Sequence, residues 1–97
     1  MFEVIESDVF GRWMDGLKDQ MAKNQINIRI RRAAAGNFGD WKSVGDGVSE
    51  LRIDHGAGYR VYFTRRSSRI IVVLAGGTKR TQPADIAKAI EIAKQYG

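Results

Sequence analysis

The apolar residues of this chain change their spacing once, near Gly47, and that switch limits what it can fold into. Ahead of it, Phe10, Trp13, Met14, Leu17 and Met21 recur every three or four positions, the signature of one buried helical face. Ser7 is placed to cap that helix, and Asp8 favours its first turn. Gly11 and Gly16 weaken it, so a break near Lys18–Asp19 is expected. A second helix from about Asp19 to Ala35 would bury Ala22, Ile26, Ile30 and Ala33. Gly36-Asn37 ends it, and Gly36 to Asp40 reads as a loop. Phe2 to Ile5 suits a short strand before the first helix.

Beyond Gly47 the spacing becomes two. Val48 to Asp54 and Tyr59 to Arg65 read as strands of a hairpin closed by His55-Gly56-Ala57-Gly58. Ser67-Ser68 makes the next turn. Ile70 to Ala75 is continuously apolar and rich in β-branched residues, as expected of a strand covered on both faces. Gly76-Gly77 should end it. Pro83 and Asp85 suit a helix start, with Ile86, Ala89, Ile90 and Ala93 as the buried stripe. The expected fold is therefore α+β: two N-terminal helices packed on a three- to four-stranded, mainly antiparallel sheet, with a C-terminal helix. At 97 residues the chain suits one domain over 1–97.

Composition removes several kinds of chemistry. Without cysteine there is no disulfide framework, Cys-based zinc site or thiol catalysis, and one histidine is too few for a histidine metal site. No cofactor or metal is expected. No apolar run nears the roughly 18 residues of a membrane span. Met1 to Ser7 carries two glutamates and lacks the pattern of a signal peptide, so a cytoplasmic protein is expected. Charge is unevenly placed. Residues 1–51 hold seven basic and eight acidic side chains, and 81–97 hold two of each. The net +5 thus arises in 52–80, where Arg52, Arg60, Arg65, Arg66, Arg69, Lys79 and Arg80 face Asp54 alone. Such a concentration points to a polyanion partner.

The hairpin sharpens this. The register that buries Leu51 and Ile53 together with Tyr59, Val61 and Phe63 puts Arg52 and Arg60 side by side on the other face. Adjacent guanidiniums repel, which a shared phosphate would explain; the alternative is that Glu50 or Asp54 neutralises one of them. Gly76-Gly77-Thr78-Lys79-Arg80-Thr81-Gln82 is a second basic site at a helix N-terminus, although it lacks the spacing of a nucleotide-binding loop and otherwise reads as a solvated turn. His55, the one histidine, would act as acid or base if it stood beside the arginines; the alternative is an exposed loop histidine with no role. Tyr62, on the arginine face, either stacks on a base or hydrogen-bonds a phosphate, or is a partly buried sheet tyrosine. Trp41 belongs to the core margin or to a partner contact.

Taken together, Gly36-Asn37-Phe38-Gly39-Asp40, Gly47-Val48-Ser49-Glu50-Leu51-Arg52-Ile53, Gly58-Tyr59-Arg60-Val61-Tyr62-Phe63 and Gly76 to Gln82 with Asp85-Ile86 resemble the HigB-like addiction-module killer proteins of the RelE/ParE toxin superfamily. The resemblance implies a toxin that cuts messenger RNA at the ribosome without metal and is neutralised by a cognate antitoxin, often a helix-turn-helix DNA-binding protein. Within the same superfamily the ParE branch poisons DNA gyrase, and a non-catalytic nucleic-acid-binding module would carry the same basic face. The family loop commonly reads Gly-Gly-Asp-Lys-Ser-Thr-Gln; here Thr78 and Arg80 replace its acid and its serine, making the loop more positive. Catalysis is then expected of Arg52, Arg60, Lys79 and His55, and RNA contact of Arg65, Tyr62, Arg80 and Gln82. Related ribonucleases often carry a tyrosine or histidine near the C-terminus, and Tyr96 stands too far along the last helix for that role.

Overall fold

The computed structural model describes residues 1–96. Glu3–Glu6 forms strand β1, followed by helices α1 (Asp8–Gly16) and α2 (Gln20–Ala34). Strands β2 (Trp41–Gly45), β3 (Val48–Ile53), β4 (Tyr59–Arg65) and β5 (Ile70–Thr78) come next, then a 3-10 turn at Lys79–Thr81 and helix α3 (Gln82–Gln95). Among the described residues no helix is long and apolar enough to cross a membrane.

This architecture corrects the expected one. The sheet has five strands in the order β1-β5-β4-β3-β2 and is mixed, because β1 runs parallel to β5 while the other pairs are antiparallel. The opening strand expected over Phe2 to Ile5 is present as β1, and the helices cover both faces of the sheet. The unexpected strand is β2, which lies at one edge of the sheet, with β1 at the other. β1 owes its place to pairing with a strand far along the chain, Glu3 opposite Ile70, which no local pattern encodes. β2 is exposed along most of its length and shows no alternation to reveal it.

The buried stripe expected of α2 is borne out, whereas in α3 Ile92 joins Ala89 in the core and Ile86, Ile90 and Ala93 are only partly buried. Ser7 caps α1 by accepting the Phe10 N–H at 3.0 Å, and Asp19 caps α2 by accepting that of Ala22 at 3.1 Å. Helix α2 buries Ala22, Ile26, Ile30 and Ala33, which pack with Phe10 of α1 on Leu51, Ile53, Tyr59, Val61, Phe63, Ile71 and Val73. Met21 departs from the expected stripe and is exposed. On the opposite face, Ala89 and Ile92 of α3 cover Val48, Tyr62, Val72, Leu74 and Ala75.

Gly76-Gly77 does not end β5; the strand runs on to Thr78. The register of β4 and β5 shifts between Tyr62 and Phe63, so Leu74 and Ala75 both belong to the α3 face. The buried Ser7 hydroxyl donates to the Leu74 carbonyl at 2.5 Å, satisfying that irregularity. Past it, the glycines let helices approach from either side. A Cβ on Gly76 would lie 2.3 Å from the Trp13 ring, and one on Gly77 would lie 1.8 Å from the Asp85 carboxylate. Both are packing positions inside a strand.

Candidate functional site

Alternation along β3 sends Val48, Glu50 and Arg52 to the α3 side of the sheet, and alternation along β4 sends Arg60, Tyr62 and Thr64 the same way. The ladder sets Arg52 opposite Arg60, as the hairpin register predicts. Near the first turn of α3 this face passes from core to surface. Glu50 is fully buried, Arg60 is 12% exposed and Arg52 is 37% exposed.

Glu50 is the residue around which the site is built, and it engages both arginines. Its Oε2 accepts from Arg52 Nε at 3.2 Å. Its Oε1 accepts from the Gln82 side-chain amide at 2.8 Å and lies 3.9 Å from Arg60 Nε, an ion pair without a hydrogen bond. Arg60 Nη1 donates to the Tyr59 carbonyl at 3.2 Å. The arginines stand together because one buried carboxylate lies between them.

They line a cleft of about 420 Å³ with Asp40, Asp54, Gly58 and Lys79. Lys79 is held at its edge by its own backbone N–H, which donates to the Gly58 carbonyl at 2.8 Å. Gly58 has φ +78°, and a Cβ there would touch Lys79 and Arg60 at 3.4 and 3.7 Å. Arg80, on the same turn, is exposed. Sequence reasoning missed Arg29, which braces the far wall from α2. Its Nη1 donates to the Arg52 carbonyl, and its Nη2 to those of Phe38 at 3.1 Å and Asp40 at 3.0 Å. Burial lowers its pKa, and the nearby Asp40 charge partly opposes that shift. The Arg52 N–H donates to the Asp40 carbonyl at 2.9 Å, so Asp40 reaches the cleft on a braced loop.

Of the expected site residues, Arg52, Arg60 and Lys79 meet here, with Arg80 alongside. Four others are placed differently. His55 turns to the opposite side of the sheet, its Nε2 3.0 Å from Asp19 Oδ2 and its ring stacked with Tyr59 at 6.3 Å between centroids. There it ties the hairpin to the start of α2. The Ala22 N–H first, and then the bond to His55, hold the Asp19 carboxyl below the ordinary range. Tyr62 is fully buried under α3, so the RNA contact expected of it is not available. Burial, then the Glu50 and Asp85 charges, push its phenol up, and its hydroxyl has no partner among the described residues. Gln82 commits its amide to Glu50.

Arg65 sits at the far end of β4, with its guanidinium 4.1 Å from the Phe38 ring centre and within 6 Å of those of Phe2 and Trp41. Arg66, also at that end, donates to the Ala93 carbonyl at the C-terminus of α3 at 2.8 Å. The basic stretch therefore divides between the two ends of the β4–β5 hairpin. Tyr96 caps the end of α3 away from the cleft. Among the described residues no three His, Cys, Asp or Glu side chains cluster as metal ligands.

A family model described as "Phage derived protein Gp49-like (DUF891)" matches residues 12–96. The chain is also similar to a protein of Haemophilus influenzae described as uncharacterized, with 49% identity over 88 residues covering 91% of this chain and 89% of the other.

Proposed function

This chain belongs to the Gp49-like family of phage-derived proteins, and on that footing we propose that it is the toxin of a toxin–antitoxin pair that cleaves messenger RNA at the ribosome, as the resemblance to RelE/HigB toxins implies. The observation that carries the reading is the arginine pair Arg52 and Arg60 at the rim of a cleft that also holds Lys79. Fixed guanidiniums suit a phosphate whose charge grows in the transition state.

The chemistry needs no group beyond the chain and its substrate. The 2′-oxygen attacks the adjacent phosphorus and the bond to the 5′-oxygen breaks, leaving a 2′,3′-cyclic phosphate and a 5′-hydroxyl. Arg52, Arg60 and Arg80 take the phosphate charge. The 2′-hydroxyl proton passes to a cleft carboxylate, Asp54 or Asp40, and the departing 5′-oxygen takes a proton from Lys79. His55 has no part in this scheme, since it faces Asp19. The proposed partners are the ribosome with its message and an antitoxin of the helix-turn-helix type.

One observation favours a second reading. With His55 turned away and Tyr62 buried, the cleft offers no imidazole or phenol to move protons, as suits a module that binds RNA without cutting it. Growth decides between them. In cells expressing the chain without an antitoxin, Arg60→Ala and Lys79→Ala should each relieve arrest. Full arrest by both variants at equal protein levels would refute the assignment.

A further inference from the structure

Glu50 takes no part in the chemistry above, yet it is the most buried charged group at the cleft and the one through which the other residues meet. A carboxylate withdrawn from water is costly unless charge and hydrogen bonds replace the lost solvation. Here those come from three directions, Arg52 on its own strand, Arg60 on β4 and Gln82 at the start of α3. Both arginines turn Nε toward the carboxylate, Arg52 in a 3.2 Å hydrogen bond and Arg60 in a buried ion pair at 3.9 Å with no hydrogen-bond partner for its Nε among the described residues. Arg52 keeps both terminal nitrogens without a protein partner among the described residues, and Arg60 keeps Nη2. Two guanidiniums directly opposite in a ladder would otherwise swing apart.

We infer that Glu50 is a positioning residue that clasps Arg52 and Arg60 by their Nε edges, so that their outer N–H groups meet a single backbone phosphate of RNA together. The trio of one carboxylate and two guanidiniums keeps a net positive charge, so the clasp orients the pair without cancelling its attraction for an anion. Gln82 holds the second carboxylate oxygen from α3 and serves the clasp. The inference rests on the RNA-binding reading of this cleft.

The test uses the full chain and a single-stranded RNA oligonucleotide with 2′-O-methyl riboses, which it can bind and cannot cut. In the parent protein, the affinity losses of Arg52→Ala and Arg60→Ala should be non-additive by about tenfold, as expected of groups sharing one partner. With Glu50→Gln as background the two losses should become additive. Glu50→Gln itself removes one negative charge, so a role in charge balance alone predicts tighter binding. The clasp predicts weaker binding, by about tenfold for a lost shared contact. A reading that does not depend on that variant folding comes from the parent protein by 15N NMR. The Nε–H groups of Arg52 and Arg60 should exchange with solvent far more slowly than that of exposed Arg80. Additive losses in the parent, tighter binding by folded Glu50→Gln, or exchange as fast as at Arg80 would each overturn the inference. A chain that shows the coupling but never cuts RNA refutes the ribonuclease reading and leaves the clasp standing. A chain that cuts RNA with additive arginines does the reverse, and one that binds no RNA overturns both.

Discussion

Tyr62 illustrates how burial alone reassigns a side chain. Alternation places it on the arginine face, and a tyrosine there invites a role in stacking on bases. Helix α3 covers that part of the face, and the phenol is left buried with no hydrogen-bond partner among the described residues. A buried polar group without a partner carries a desolvation penalty, so Tyr62→Phe should raise stability by about 1 kcal/mol in urea unfolding. Alkali gives a second reading. The phenol's pKa in the folded chain is raised above the ordinary value of 10.0, first by burial and then by Glu50 and Asp85. The unfolded chain therefore loses this proton first. The stability tied to Tyr62 is complete below about pH 10 and falls as pH rises above it. Urea unfolding between pH 9 and 11 should show that fall in the parent and a smaller one in Tyr62→Phe.

At the scale of elements, what the sequence reveals follows the range of the interactions involved. The α2 stripe, the Ser7 cap and the opposition of Arg52 and Arg60 depend on period and turn geometry within a few residues, and they are legible. The parallel β1–β5 pair and the exposed strand β2 depend on distant partners, and they are not. The glycines of β5 fall between. Composition marks Gly76-Gly77 as unusual and suggests a strand end, whereas their purpose is to admit Trp13 on one face and Asp85 on the other. Gly76→Ala would drive a methyl group into the Trp13 ring and should cost about 1–3 kcal/mol of stability by thermal or urea unfolding, the usual range for overpacking a fitted contact.

For the whole molecule, the position of charge matters more than its sum. The seven cations of residues 52–80 look like one patch along the chain, but folding sends Arg52, Arg60, Lys79 and Arg80 to one end of the sheet and Arg65 and Arg66 to structural contacts at the other. The site was legible as far as the arginine pair and Lys79. Glu50 was visible only as a possible neutraliser, because its burial depends on α3, and the turn of His55 toward Asp19 depends on α2. RNA affinity should report the division. For single strands the slope of log affinity against log salt changes by about 0.7 for each phosphate contact. Arg60→Ala should reduce that slope by about this amount and Arg65→Ala should leave it unchanged, in titrations between low and moderate salt. The central claim is cleavage of translated messages, and it is tested most directly by mapping RNA 5′ ends after expressing the chain without an antitoxin, with Arg60→Ala alongside. The account predicts growth arrest with new 5′ ends inside translated reading frames, absent in the Arg60→Ala cells; arrest with intact transcripts, or the same cuts in both strains, would contradict it.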